Sequence, residues 1–144
     1  IVVQVLSIVI LSQIIEQGGG VYSNIKIFTY SLPCFNYYHE LFYVNGVKTI
    51  PLSIGELLTP VSLAYWAMDE GSKVNSGFYL NTHSFTFSEV QLLIPVLKEN
   101  FDLNCSAHKD RANYRIYIKS DSMGNFRSLV TPYSHELMMY KLAV

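Results

Sequence analysis

Apolar residues recur with helical spacing between residues 59 and 71. Four of them, at i, i+3, i+4 and i+7, form the apolar stripe of an amphipathic helix: Val61, Ala64, Tyr65 and Met68. Thr59 suits the N-cap because its hydroxyl can accept a backbone N–H, and Pro60 suits the first helical position. Gly71 suits the residue just past the end, which usually needs a positive φ. The segment therefore predicts a helix with both ends specified.

Three later segments alternate with the two-residue period of β-strands, at residues 77–83, 103–108 and 114–120. Between the first two, Thr86 and Glu89 form a capping box that starts a helix reaching about residue 101. A last helical region begins near residue 122, is interrupted at residues 124 and 132, and resumes at residue 135. This order of elements predicts an α+β fold, with helices on one face of an antiparallel sheet.

The sheet face that the helices leave bare is predicted to be polar. Its outward side chains are Asn81, His83, Asn104, Ser106, His108, Arg115, Tyr117 and Lys119. A two-stranded ribbon fits the major groove of B-DNA, where Arg, Lys and Asn can read base edges. The alternative is a face that contacts only water, as one face of many antiparallel sheets does.

The first 58 residues are less regular. Ile1–Ile15 is an apolar run that is shorter than the roughly 20 residues needed to span a bilayer, and Gly18–Gly20 follows as a flexible break. Ser23–Ser31 alternates like a strand. Pro33 then starts a short predicted helix through Val44, and Asn45–Gly46 ends it.

Charge and cysteine content narrow the function only slightly. The net charge of −1 argues against a generally basic nucleic-acid-binding protein, although residues 103–127 hold five basic residues against two acids. Such a local basic patch is sufficient for some phosphate contacts. Cys34 and Cys105 lie far apart without paired spacing, which indicates neither a zinc motif nor a disulfide framework.

The acids Asp69 and Glu70 occupy an unfavourable place on the first predicted helix. They lie in its last turn, where the helix dipole is negative and each acid is disfavoured by about 0.3–1 kcal/mol. Two carboxylates there suggest a hard divalent metal ion as a partner. The alternative is a solvated helix end that happens to be acidic.

The segment Leu63–Gly71, with the sequence LAYWAMDEG, resembles the signature nonapeptide of the LAGLIDADG homing endonucleases. The similarity is to mitochondrial intron-encoded members, and it extends through blocks at residues 44–51, 80–86 and 138–142, covering about residues 25–142. The resemblance implies a LAGLIDADG half-domain with the element order αββαββα. It also implies a sheet face that contacts DNA.

The same resemblance implies a mechanism. In the family, two signature helices pack together, and the acid at the eighth motif position of each holds a divalent metal ion for phosphodiester hydrolysis. That acid is Glu70 here, and Asp69 precedes it. Lys141 resembles the active-site lysine of this half, with a solvated surface lysine as the alternative, and Lys48 resembles its counterpart from the first half. The expected cofactor is Mg2+, or Mn2+.

Only one signature motif is present, so the chain is expected to hold half of an active site. The predicted layout is an unmatched apolar segment at 1–20, the tail of a preceding half-domain plus a linker at 21–58, and the endonuclease domain at 59–142. The expected partners are a double-stranded DNA target and either a missing N-terminal half or a second copy. Host intron RNA is a partner if the protein is a maturase, and no small-molecule substrate is expected. Expression in mitochondria is expected. Three hypotheses remain open: a site-specific DNA endonuclease, an RNA maturase that assists splicing, and an inactive remnant.

Overall fold

The computed structural model describes residues 8–17, 20–29 and 32–142. The start of the apolar segment (residues 1–7), the glycines at 18 and 19, and the end of the predicted strand at residues 30 and 31 lie outside them. Contacts divide the chain into two compact units, residues 1–40 and residues 41–144. No helix in the described part of the chain is long and apolar enough to cross a membrane.

The first unit contains a long antiparallel hairpin. Strand β1 (Ile8–Gln17) pairs with strand β2 (Gly20–Thr29), with Ile8 opposite Thr29. A 3₁₀ turn at Pro33–Phe35 then leads into helix α1 (Asn36–Phe42). The described part of the strand predicted at residues 23–31, up to Thr29, therefore belongs to β2.

The second unit begins with a small hairpin where a helix end was predicted. Tyr43–Val44 (β3) pairs with Val47–Lys48 (β4) around Asn45 and Gly46, whose φ angles are 52° and 77°. Two central residues with positive φ match the twist of a two-residue hairpin, and Asn-Gly is the sequence that most favours it. The prediction of a helix through Val44 was therefore wrong by two residues.

From residue 60 onward the elements follow the predicted order αββαββα, and a short helix that was not predicted precedes them. Helix α2 (Ile54–Leu57) precedes helix α3 (Pro60–Glu70), and strands β5 (Gly71–Val74) and β6 (Gly77–Asn81) form a hairpin. Helix α4 (Phe87–Phe101), strands β7 (Cys105–Asp110) and β8 (Asn113–Ile118), and helices α5 (Met123–Val130) and α6 (Met139–Leu142) complete the unit. Short 3₁₀ helices flank α5 and precede α6.

Strands β5 to β8 form one antiparallel sheet in the order β5-β6-β8-β7. Inward side chains pair across it, with Phe78 opposite Ile118, and Leu80 opposite Ile116. All four are fully buried, and the Phe78 ring packs on the ring of Phe126 from α5 at 4.9 Å between centroids. The predicted α+β fold, with helices on one face of the sheet, is confirmed.

Capping boxes fix the starts of the two long helices. Thr59 and Ser62 exchange hydrogen bonds at the start of α3, and Thr86 and Glu89 do so at the start of α4. Burial opposes ionisation of Glu89, but hydrogen bonds from the Thr86 side chain and from the backbone N–H groups of Thr86 and Ile50 together lower its pKa below the usual value. Glu89 therefore also ties the chain after β4 to α4, through the Ile50 N–H at 2.9 Å.

Three sequence expectations about helices need correction. The stripe on α3 is only partly buried: Ala64 is fully buried, whereas Val61 is 38% and Tyr65 62% exposed. Gly71 has φ −88° and ψ 149°, so it continues as extended chain into β5. Helix α5 runs through Gly124 without interruption.

Candidate active site and nucleic-acid interface

The acidic end of α3 lies at the surface. Asp69 and Glu70 are the last two residues of the helix, and both are exposed. The buried face of α3, which includes Leu63 and Ala67, packs into the core and fixes the position of this end. The indole N–H of Trp66 adds a hydrogen bond to the carbonyl of Asn81 in β6 at 3.3 Å. Two carboxylates thus extend from a helix end that the sheet holds in place.

Lys141 binds the same helix end. Its ammonium group donates hydrogen bonds to the backbone carbonyls of Met68 and, at 3.3 Å, of Asp69. A cation at the carboxyl end of a helix satisfies free carbonyls and offsets the negative dipole. Lys141 therefore supplies a local cation, so the two acids are not by themselves a sign of a metal ion.

Lys48 lies elsewhere in the same unit. It belongs to β4, and its ammonium group sits 5.3 Å from the centre of the Phe85 ring, just before α4. The structure therefore brings together three of the predicted catalytic and metal-binding residues, Asp69, Glu70 and Lys141. The contact that it gives Lys48 is with an aromatic ring.

The donor set at the α3 end fits one kind of metal ion. Within residues 8–17, 20–29 and 32–142, no three His, Cys, Asp or Glu side chains come close enough to hold a metal together. Mg2+ is usually held by one or two carboxylates and keeps several waters. The exposed carboxylates of Asp69 and Glu70 fit such a hydrated ion and do not fit an all-protein cage.

The polar face of the sheet is organised around His108. Its Nδ1 lies 3.0 Å from the Tyr79 hydroxyl, and its Nε2 lies 3.0 Å from the Ser106 hydroxyl. The imidazole also stacks on the Tyr117 ring, at 4.8 Å between centroids and 21° between planes. Side chains from β6, β7 and β8 therefore hold one another across the sheet.

A second cluster lies where the β7–β8 hairpin turns. Asp110 at the end of β7 approaches both His83 Nε2, at 3.0 Å, and Arg115 Nε, at 3.3 Å. The Arg115 contact has an ion-pair distance without the alignment of a hydrogen bond. The guanidinium carbon of Arg115 also lies 4.2 Å from the centre of the Tyr79 ring. Asn81, opposite Arg115 in the register, has a buried side-chain oxygen without a hydrogen-bond partner in the described residues.

Asn104 and Lys119 lie just beyond the other ends of β7 and β8. The Asn104 amide donates to Asp121 Oδ2 at 2.9 Å, and this bond, together with one from Ser122, lowers the pKa of the Asp121 carboxyl. Lys119 is exposed. Nearby, burial raises the pKa of the free Cys105 thiol to about 12.

Sequence reasoning missed two members of the polar face. Tyr79 lies two residues before Asn81 in the alternating segment 77–83 and so shares its face, but it is not among the eight predicted residues, although its ring and hydroxyl contact both Arg115 and His108. Asp110 lies beyond the predicted strand at residues 103–108, whereas β7 extends to it and pairs it with Asn113. The alternation of Ser106, His108 and Asp110 would have placed the carboxylate on this face.

These features define a class of protein: an α+β domain with a cross-linked polar sheet face and, in the same domain, an acidic helix end bound by lysine. Residues 6–126 match the model of the LAGLIDADG DNA endonuclease family. The chain belongs to that family, as the signature nonapeptide indicated. The match starts at residue 6, within the segment 1–20 that was predicted to be unmatched.

Two curated relatives are similar over most of this chain. An intron-encoded endonuclease named ai4, from Dictyostelium discoideum, is 37% identical over 121 residues, which are 81% of this chain and 75% of the relative. The cytochrome b mRNA maturase bI2 of Debaryomyces hansenii is 36% identical over 130 residues, which are 89% of this chain and 50% of the relative. The chain thus spans about half the length of that maturase.

A solved structure has the same fold. The homing endonuclease I-WcaI bound to its DNA recognition sequence superposes with a TM-score of 0.83 and 29% identity, covering 94% of this chain and 63% of that chain. The predicted LAGLIDADG fold class is therefore confirmed. At the level of the family, this supports a DNA-binding endonuclease.

Proposed function

We propose that this chain is the C-terminal part of a site-specific DNA endonuclease that hydrolyses both strands at an intron-insertion site. The observation that carries the proposal is the cross-linked polar sheet face in a fold that superposes on a DNA-bound homing endonuclease. The sheet residues would bind the duplex, and the α3 end would lie at the scissile phosphate. We also propose that the protein works in mitochondria.

The acids at the α3 end would hold the metal ion. Glu70, with Asp69 beside it, would bind Mg2+ or Mn2+, which when bound supplies Lewis-acid stabilisation and an activated water. Lys141 holds the helix end through its carbonyls and adds positive charge close to the phosphate. Lys48, which lies against Phe85, is proposed as the corresponding lysine of the preceding half.

The exposed strip of α3 supports our proposal that a second helix packs against it. Val61, Tyr65 and Asp69 recur at i, i+4 and i+8, and all three are exposed. Two large apolar side chains in line with an acid fit a second helix that packs against this strip and brings its own acid. A preceding half-domain of the same protein, or a second copy of this chain, would provide that helix.

The test of the nuclease proposal is a cleavage assay. It uses this chain together with the preceding half-domain proposed above, and a duplex that spans the intron-insertion site. Glu70→Gln should reduce cutting in Mg2+ by at least about 100-fold, since the loss of one stabilising group at a reacting centre costs about 2.7–4 kcal/mol. Glu99→Gln, which makes the same change on an exposed part of α4, is the control and should cut normally. Equal cutting by Glu70→Gln and the parent would contradict the role of Glu70.

A maturase is the second candidate, because cytochrome b mRNA maturases from Debaryomyces hansenii and Saccharomyces cerevisiae are among the relatives. The same polar face would then bind folded intron RNA. A splicing assay with the host intron transcript separates the two functions, since a maturase should tolerate Glu70→Gln. The third hypothesis, an inactive remnant, is not supported by Pro95: a proline inside a helix removes a backbone hydrogen bond, but α4 continues through this exposed residue.

A further inference from the structure

Arg115 is held on two sides by its own domain. Asp110 Oδ2 lies 3.3 Å from the Nε of Arg115, and its guanidinium carbon lies over the Tyr79 ring, 4.2 Å from the ring centre. About a quarter of the Arg115 side chain remains exposed. Its two terminal nitrogens have no partner in the described part of the chain, so the outer edge of the guanidinium keeps its donors free.

The Tyr79 ring that supports Arg115 is itself fixed. Its hydroxyl contacts His108 at 3.0 Å, and its ring packs against that of Tyr117 at 5.2 Å. His108 in turn contacts Ser106 and stacks on Tyr117. The guanidinium is therefore oriented before any ligand binds, which reduces the entropy lost on binding.

The negative charge of Asp110 limits which hydrogen-bond acceptors of a ligand can approach the Arg115 guanidinium. Asp110 places a carboxylate next to the guanidinium, and a phosphate at the same place would be repelled by it. A neutral pair of acceptors would not be repelled. In the major groove, guanine O6 and N7 form such a pair, and a bidentate arginine is their commonest partner.

We propose that Arg115 reads one guanine of the recognition sequence, and that Asp110 is a positioning residue that holds Arg115 for this contact and disfavours phosphate. The inference rests on the proposed DNA-binding function. On this proposal Asp110 increases discrimination for guanine and lowers the affinity for DNA of unselected sequence. A carboxylate with only a structural role would change neither.

The experiment selects binding sites for the full chain from a pool of randomised DNA duplexes and measures the affinity for each enriched site. The parent should enrich a motif with one guanine that it prefers by roughly 5- to 150-fold over other bases. Arg115→Lys keeps the charge but removes the planar fork, and should lose that preference while other positions of the motif persist. Asp110→Asn should bind unselected duplexes more tightly and discriminate less at the same guanine.

Arg111, exposed at the tip of the β7–β8 hairpin, provides the matched control. Arg111→Lys should leave the motif unchanged, and thermal unfolding of each variant establishes that it is folded. An unaltered guanine preference in Arg115→Lys, or weaker binding of unselected duplexes by Asp110→Asn, would overturn this inference but not the proposed DNA-binding function. Failure of the parent to enrich any motif would overturn the proposed DNA recognition, and this inference with it.

Discussion

Gly71 joins the acidic end of α3 to strand β5, and it offers a sharp test of how this junction is packed. A Cβ atom at Gly71 would lie 2.2 Å from the carbonyl oxygen of Ala67 and 2.5 Å from two ring carbons of Phe78. Ordinary contacts at a Cβ begin near 3.4 Å. The Gly71 backbone is extended, so the glycine is required by this close approach and not by a left-handed φ.

Neither neighbour can move freely. The Ala67 carbonyl accepts the N–H of Gly71, and the fully buried Phe78 ring packs on Phe126. Overpacking of a core site costs about 1–3 kcal/mol. Gly71→Ala should therefore destabilise the domain by at least this amount and lower its melting midpoint by roughly 3–15 °C.

Gly124 is the matched control for this substitution. It lies in α5, and a Cβ there would meet nothing within 4 Å. Gly124→Ala should stabilise by about 0.4–1 kcal/mol because it reduces the freedom of the unfolded chain. Calorimetry or circular dichroism of both variants measures the two shifts. Equal stability of Gly71→Ala and the parent would show that the junction is loosely packed and would refute the reasoning.

Two further predictions concern the contacts of Glu89 and Lys141. Folding lowers the pKa of Glu89 below its usual value of 4.5. The ionised carboxylate therefore stabilises the domain fully at pH values above 4.5, and this stabilisation is lost as the pH falls through the lowered pKa. Urea denaturation should therefore show that Glu89→Gln is less stable than the parent near neutral pH, with a gap that narrows in acid; a constant gap would contradict this. Lys141→Met removes a donor to the α3 carbonyls and should cost about 0.5–1.5 kcal/mol. Lys98→Met, at an exposed ion pair with Asp102, should cost less than about 0.5 kcal/mol in the same urea experiment, and equal losses would count against the capping role.

The main elements were predictable because their signals are local. Capping residues at Thr59 and Thr86 mark the starts of α3 and α4, and alternation within residues 77–83, 103–108 and 114–120 sets which side chains face the helices. The small hairpin at residues 43–48 was equally local, since Asn45–Gly46 favours a two-residue turn. It was missed because the apolar residues before it also fit a helix.

The candidate site was less predictable because its contacts join residues far apart in the chain. Lys141 reaches the carbonyl of Met68 across 73 positions, and Tyr79 reaches His108 across 29. Alternation indicates which side chains share a face, but it does not indicate which of them touch. The role of Asp110 beside Arg115 and His83 therefore needed the register of β7 against β8.

The stripe on α3 shows how a helix with apolar residues on two sides can be misread as having one apolar stripe. Leu63, Ala64 and Ala67 are buried in the core, while Val61 and Tyr65 stay exposed. Apolar residues therefore occupy both faces of α3. The predicted stripe, with spacing i, i+3, i+4 and i+7, combined residues from the buried face and from the exposed face. A helix that is apolar on more than one face is typical of burial on both, which agrees with the partner helix proposed above. An intact partner half should then protect Tyr65 from solvent, whereas the isolated chain leaves most of its side chain accessible.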